Sequence, residues 1–275
     1  MISIDAVTDQ TLGDDSQDYN PPHKVTLTAY KIGETEVTQE LWMTVMDKNS
    51  SFFDNTGLKN GKDTTPTVGE VQEKRPVEEV NWYHAVVFCN KLSIKLGREP
   101  CYSNPSIDLN TVAFSTIPTK EHSVWNKTKI DMSKNGFRLP TEAEWEWAAK
   151  GGAKDNKWAG TDSEAELENY AWYAKNSGNK THEVKKKKPN GYGLYDMSGN
   201  VKEWCSDWYV ENMPASGNDP ITLTITGRPL RPNRGGTWGD NVNETAHAYR
   251  RLHITANASH AKTNSRGLRL VCRDN

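Results

Sequence analysis

Three stretches of the chain repeat their apolar residues at helical spacing, and little else in it repeats at any period. From Trp82 to Leu96, the residues Trp82, Val86 and Cys89 alternate with Phe88, Leu92 and Leu96 at intervals of three and four, which predicts a helix with a buried face. Asn81 stands where an N-cap is wanted, and Gly97 where the chain must stop. A second helix is predicted over Thr141 to Lys150. Pro140 opens it, Thr141-x-x-Glu144 forms a capping box and Gly151-Gly152 closes it, with Trp145 and Ala148-Ala149 facing the core. A shorter helix is expected after Thr38, through Leu41, Trp42 and Val45. Strand-like patterning is confined to Lys24 to Ile32, Phe137-Arg138-Leu139 and Gly267 to Val271. The remainder, above all 98–135 and 152–192, is turn-rich and holds no internal repeat and no linker-like change of composition. One domain over 1–275 is the economical reading. Loops of this length in a compact domain are usually functional or held by an ion.

Composition adds two things to that picture. Ten Trp and ten Tyr supply large packing area to a chain with little regular structure, while 20 Gly and 13 Pro point to many turns. A formal charge of -2 gives no overall positive field to attract nucleic acid. The longest basic run, Lys185 to Lys188, is read as a solvated loop. No apolar stretch approaches the roughly 18 residues of a membrane span. Cys89, Cys101, Cys205 and Cys272 form no CxxC and no Cys/His cluster, so buried inert thiols are expected. Met1 to Asp5 shows no signal-peptide pattern.

An ordered set of segments carries a resemblance. They are His23-Lys24-Val25 with Ile32 to Thr38; Arg75-Pro76-Val77 with Val80-Asn81-Trp82; Phe137 to Glu146; Asn190 to Trp204; Arg234-Gly235-Gly236-Thr237-Trp238; and Gly267 to Val271. Together they resemble the formylglycine-generating-enzyme (sulfatase-modifying factor) family from about residue 20 to the C-terminus, with 1–20 departing from its pattern. The resemblance implies an α+β, C-type lectin-like fold. In the enzymes of that family, two cysteines after the Arg-Gly-Gly motif bind copper, since soft thiolates select Cu(I). Those positions fall on Asp240 and Thr245 here, so the resemblance implies the scaffold without the oxidase chemistry, and no copper. Iron-dependent relatives need a three-histidine site, whose spacing is missing here.

Asp196-x-x-Gly199-Asn200-Val201-x-Glu203 has a physical meaning of its own. Two carboxylates seven residues apart flank a glycine turn that can aim carbonyls inward, and calcium accepts such a mixed oxygen set. The resemblance assigns Asp196 and Glu203 as side-chain ligands, and Gly199 and Val201 as carbonyl ligands, of a structural calcium ion. The plainer alternative is that both carboxylates accept backbone N–H groups in a tight turn. A second family site would involve Asn169 and Tyr170.

The stretch from Trp238 to Arg266 is crowded with Asn, Thr, Ser, Ala and His and shows neither alternation nor helical period, although both its flanks match the family. Here the chain resembles the variable proteins of diversity-generating retroelements, whose C-terminal stretch is rewritten at adenines. Substitution at the first two bases of AAC codons excludes Trp, Lys, Glu, Gln and Met. Gly239, Asp240, Asn241, His247, Tyr249, Arg251, Leu252, His253, Thr255, Asn257, His260 and Asn264 all fall in the permitted set. Such a surface resembles a paratope, with Tyr as rigid contact area and His, Asn and Thr as adaptable partners. The expected function is therefore non-catalytic binding of a protein or other macromolecule through 234–271, by a monomer. The family analogy adds an extracytoplasmic, surface-displayed lipoprotein whose leader is not in this chain. The alternatives are an oxidase acting on peptide cysteine, and a domain with one fixed ligand or a structural role.

Overall fold

The computed structural model describes residues 1–14, 20–152, 156–210, 215–242 and 257–273, with backbone alone at Asn257 and Ala258. Helices α1 (Gln39–Met46), α2 (Trp82–Lys95) and α3 (Glu142–Lys150) lie where the apolar spacing predicts them. Each starts on the expected cap. Thr38 Oγ1 accepts the Leu41 N–H at 3.3 Å, and Asn81 Oδ1 accepts that of His84 at 2.9 Å. At α3 the capping box closes in both directions: Thr141 Oγ1 accepts the Glu144 N–H at 3.1 Å, and Glu144 Oε2 accepts the Thr141 N–H at 2.9 Å. Gly151 ends α3 in the left-handed region at φ 67°.

The strands are shorter than the sequence suggests. Lys24 to Ile32 divides into β3 (His23–Leu27) and β4 (Tyr30–Ile32), which enter different sheets. Gly267 to Val271 likewise divides into Arg266–Gly267 and Val271–Cys272, and Phe137-Arg138-Leu139 makes just a single bridge, from Arg138 to Val271. The N-terminus belongs to this framework. β1 (Ile2–Ile4) pairs antiparallel with β4, whose other edge takes Val271–Cys272, and β2 (Val7–Leu12) pairs with β3. Strand Lys202–Trp204 pairs with Asn233–Arg234 on one side and Arg266–Gly267 on the other. Leu230–Arg231 pairs with Asn257–Ala258.

Apolar packing joins these pieces into two main clusters. In one, α1 and α2 meet through Trp42 and Phe88, stacked with centroids 4.9 Å apart, beside Val86, Leu139 and Leu268. In the other, Trp145, Trp147 and Ala148 of α3 pack on Leu27, Ile32 and Val271. Among the described residues, three buried arginine–carboxylate pairs tie α3 and the strand Lys202–Trp204 to neighbouring segments. Arg138 grips Glu144 with two bonds at 2.6 and 2.7 Å, Arg234 reaches Glu146, and Arg269 holds Glu203 at 2.8 and 3.0 Å. A carboxylate so enclosed needs its guanidinium, because an unpaired buried charge is costly. All four cysteines are free and buried, and burial raises the thiols of Cys89, Cys101 and Cys205, so none of these three is poised as a thiolate.

The basic run is the expected solvated loop, with Lys185, Lys186 and Lys188 exposed, and it also has partners. Lys185 pairs with Glu34 and Lys186 with Glu183, while Lys187 lies 3.7 Å from the Trp172 ring centroid and Lys188 5.8 Å from that of Tyr170. Aromatic faces and acids from distant segments, invisible to a local reading, hold the run to the surface.

Candidate ligand-binding surface

The C-terminal segment is fastened to the framework by its main chain. On the entry side, the Trp238 N–H donates to the Asn200 carbonyl at 2.8 Å, and the Ala174 N–H donates to that of Asp240 at 3.0 Å. On the exit side, carbonyls of the segment accept from fixed donors: Ser259 from the Trp82 N–H at 3.0 Å, Thr263 from that of Glu79 at 3.0 Å and Ser265 from that of Lys202 at 2.9 Å. Trp238 Nε1 donates to the Asn264 carbonyl at 2.9 Å, and Asn81 Nδ2 to that of His260 at 3.3 Å. A backbone carbonyl is common to every residue type, so these anchors survive a change of side chain.

Of the residues singled out from sequence, Gly239 and Asn241 are exposed, and His260 and Asn264 are half-buried. Asn257 pairs with Arg231 through its backbone. His247, Tyr249, Arg251, Leu252, His253 and Thr255 lie outside the described residues, as does Thr245. Asp240 differs from its neighbours. Its Oδ1 accepts the Thr237 hydroxyl at 2.7 Å, its Oδ2 accepts the Thr237 N–H at 3.1 Å, and Lys202 pairs with it at 3.2 Å. That side chain helps shape the turn after Trp238, while its neighbour Asn241 is exposed.

The turn at 196–203 underlies this surface. Asp196, Gly199 and Asn200 all occupy the left-handed region, at φ 58°, 90° and 55°. A Cβ on Gly199 would stand 2.1 Å from the Trp172 carbonyl, so glycine alone fits there. Asn200 holds the turn by accepting the His182 N–H at 3.0 Å and donating to Glu36 Oε2 at 2.7 Å. Asp196 Oδ2 accepts the Lys185 N–H at 2.9 Å, while its buried Oδ1 has no hydrogen-bond partner. Burial pushes the Asp196 carboxyl up to about 6. Glu36 is held well above the usual carboxylate range by burial, with Asp196 and Glu203 adding to it.

The fit of this turn to calcium is mixed. The orphaned Asp196 oxygen and the crowding of acids suit a cation. Glu203 suits it less, because Arg269 takes both of its oxygens and Trp145 Nε1 donates to Oε2 at 2.6 Å. Among the described residues no group of three or more His, Cys, Asp or Glu is placed to hold a metal ion by itself, so carbonyl ligands would have to complete the shell.

The comparisons with known proteins agree with this architecture. The sulfatase-modifying factor enzyme 1-like domain matches residues 2–274, and the chain belongs to that family. The match begins before residue 20, which corrects the expectation that 1–20 departs from the family; the pairing of β1 with β4 gives the structural reason. A chaperone protein LppX from Paenibacillus barcinonensis is 36% identical over 244 residues, covering 82% of this chain and 75% of that protein. A formylglycine-generating enzyme from Streptomyces coelicolor is 38% identical over 133 residues, covering 42% of this chain and 41% of the enzyme. Among solved structures, Treponema denticola variable protein 1 superposes with a TM-score of 0.90 at 49% identity, covering 100% of this chain and 95% of that one. The formylglycine-generating type of fold, and the likeness to a variable protein, are therefore both established.

Proposed function

We propose that this chain is a non-catalytic binding protein, the variable protein of a diversity-generating retroelement. In this reading 1–275 forms one domain, whose segment 234–271 presents a diversified surface to protein or other macromolecular ligands. The observation that carries the reading is the whole-length likeness to a variable protein at 49% identity. The main-chain fastening of the segment supports it, because such anchors leave the side chains open to replacement. At one position where the copper oxidases of the family carry cysteine, this chain has Asp240, whose carboxylate serves the turn. The likeness to a protein called a chaperone fits a binding role equally well. Display outside the cytoplasm as a lipid-anchored monomer belongs to the same proposal.

The deciding observation is genomic. A near-copy of the 238–271 coding stretch, differing mainly at adenines and lying beside a reverse transcriptase gene, is expected. Its absence from the genome would overturn the retroelement reading. Anaerobic Cu(I) titration tests the other half: tight one-to-one thiolate coordination would restore the oxidase reading.

Calcium is proposed here as a structural ion on Asp196, with the Gly199 and Val201 carbonyls and Glu203. The unpartnered Asp196 oxygen supports it. Calcium at millimolar concentration is expected to raise Tm above that in a chelator, through preferential binding to the folded state, and Asp196→Ala is expected to abolish the difference. Equal melting with and without calcium would dismiss the ion and leave the turn to its hydrogen bonds.

A further inference from the structure

A second concavity lies outside the C-terminal segment and has a different chemistry. The indoles of Trp82 and Trp208 stand stacked, with centroids 6.3 Å apart and planes at 27°. The guanidinium of Arg231 lies against both rings, 3.6 Å from the centroid of Trp82 and 3.2 Å from that of Trp208. Its Nη1 donates to the carbonyls of Ser206 at 2.6 Å and Asp207 at 3.2 Å, but its buried Nε has no hydrogen-bond partner. The side chain is deeply enclosed, with the residue 2% exposed. Asp207, whose carbonyl takes one of these bonds, accepts the N–H groups of Glu142 and Thr222 with its two carboxylate oxygens. Burial lowers the guanidinium to about 9, outweighing the opposing pull of Tyr102 and Asp207.

These groups line a cavity of about 240 Å³ together with Tyr102 and Ser206, with Lys129 adding a second positive charge and exposed Leu223 also among the lining residues. Of the other buried arginines, Arg138, Arg234 and Arg269 each grip a carboxylate, while Arg75 and Arg266 bond to neutral oxygens among the described residues. Among the described residues Arg231 makes no ion pair with a carboxylate, yet it lines a space large enough for one. We propose that this pocket binds a carboxylate carried on a flat, apolar body of one or two rings, with the acid group on Arg231 and the ring against the tryptophan wall. Two cations select the acid and the indole and Leu223 faces select the flat apolar part. All of the lining residues named here precede Arg234, whereas Arg231 pairs with Asn257 across adjoining strands. The pocket is thus a constant subsite at the edge of the C-terminal segment, and it stands whether or not that segment is diversified.

Isothermal titration of the full chain with 2-naphthoate and with 2-naphthamide tests this directly. The acid is expected to bind at least about tenfold more tightly than the amide, the effect of one charge-assisted contact. Leu223→Trp, at an exposed position, is expected to fill the mouth and weaken naphthoate binding about tenfold with Tm unchanged. Arg231→Met is expected to remove the preference for acid over amide. N-acetyl-phenylalanine identifies the source: tighter binding than naphthoate points to a peptide C-terminus, and weaker binding to a free aryl acid. No binding at millimolar naphthoate, equal binding of acid and amide, or indifference to Leu223→Trp would each overturn the proposal.

Discussion

The framework around α3 and the segment between Trp238 and Arg266 are held by opposite means. In the framework, specific side chains are interlocked: Glu144 serves both its capping box and Arg138, while Trp145 and Arg269 share Glu203. In the segment, fixed donors reach carbonyls, and the side chains of Ser259, Thr263 and Ser265 are not what is recognised. The first arrangement tolerates few substitutions, because each buried charge depends on one partner. The second tolerates many, because the anchor is the one group all residues share. A surface can be rewritten when its attachment is written in backbone.

The largest expected break in this contrast is Arg269→Met. It strands Glu203 in the core and is expected to cost about 3–5 kcal/mol, a fall in Tm of roughly 10 °C by calorimetry. A loss under about 1 kcal/mol would show that the ion pairs are not what stiffens the framework.

A pH dependence comes next. His84, in the first turn of α2 beside the anchor for Ser259, is depressed to about 3 by burial, with Lys262 adding to the effect. Its folded pKa lies below the unfolded value of about 6.5, so the unfolded chain binds the extra proton between those limits. The neutral ring's stabilisation is complete above about pH 6.5 and is lost as the pH falls toward 3, on the order of 2–3 kcal/mol by pH 4. His84→Gln is expected to flatten that part of the Tm–pH curve, and an unchanged slope would assign the acid sensitivity to other groups.

Within the segment the effects should be smaller and graded. Asp240→Ala is expected to cost about 1 kcal/mol through its lost bonds to Thr237, whereas Asn241→Ala should be nearly silent. Equal costs would mean that the turn is held by main chain alone. Changing Tyr249, His253 and His260 together is expected to alter ligand choice in a binding assay with Tm shifted by no more than about 2 °C. Unfolding by that triple change would make the segment core and defeat the comparison.

Much of this was legible along the chain and much was not. The capping box at Thr141 and Glu144, the Asn81 cap and the Gly151 stop all act within a few residues, so local spacing reveals them. The strands escaped for the converse reason. Pieces of two or three residues, such as Leu230–Arg231, are too short to show a period, and their partners lie far away. The Asp196 turn was found through its glycine and its carboxylates, but the claim of Arg269 on Glu203, 66 residues on, was not visible. Arg231 carries no local signal, since nothing in its neighbourhood of sequence announces two tryptophans from elsewhere.

The amino-acid sequence by itself determined the helices, their ends, the family and the loss of a cysteine at Asp240, because each rests on residue identity or on neighbours within a turn. The tertiary structure alone decided which carboxylate met which arginine, which arginine was left facing a cavity, and that the C-terminal segment is gripped by its carbonyls. Those outcomes depend on distance in space and on burial, which one-dimensional order does not encode.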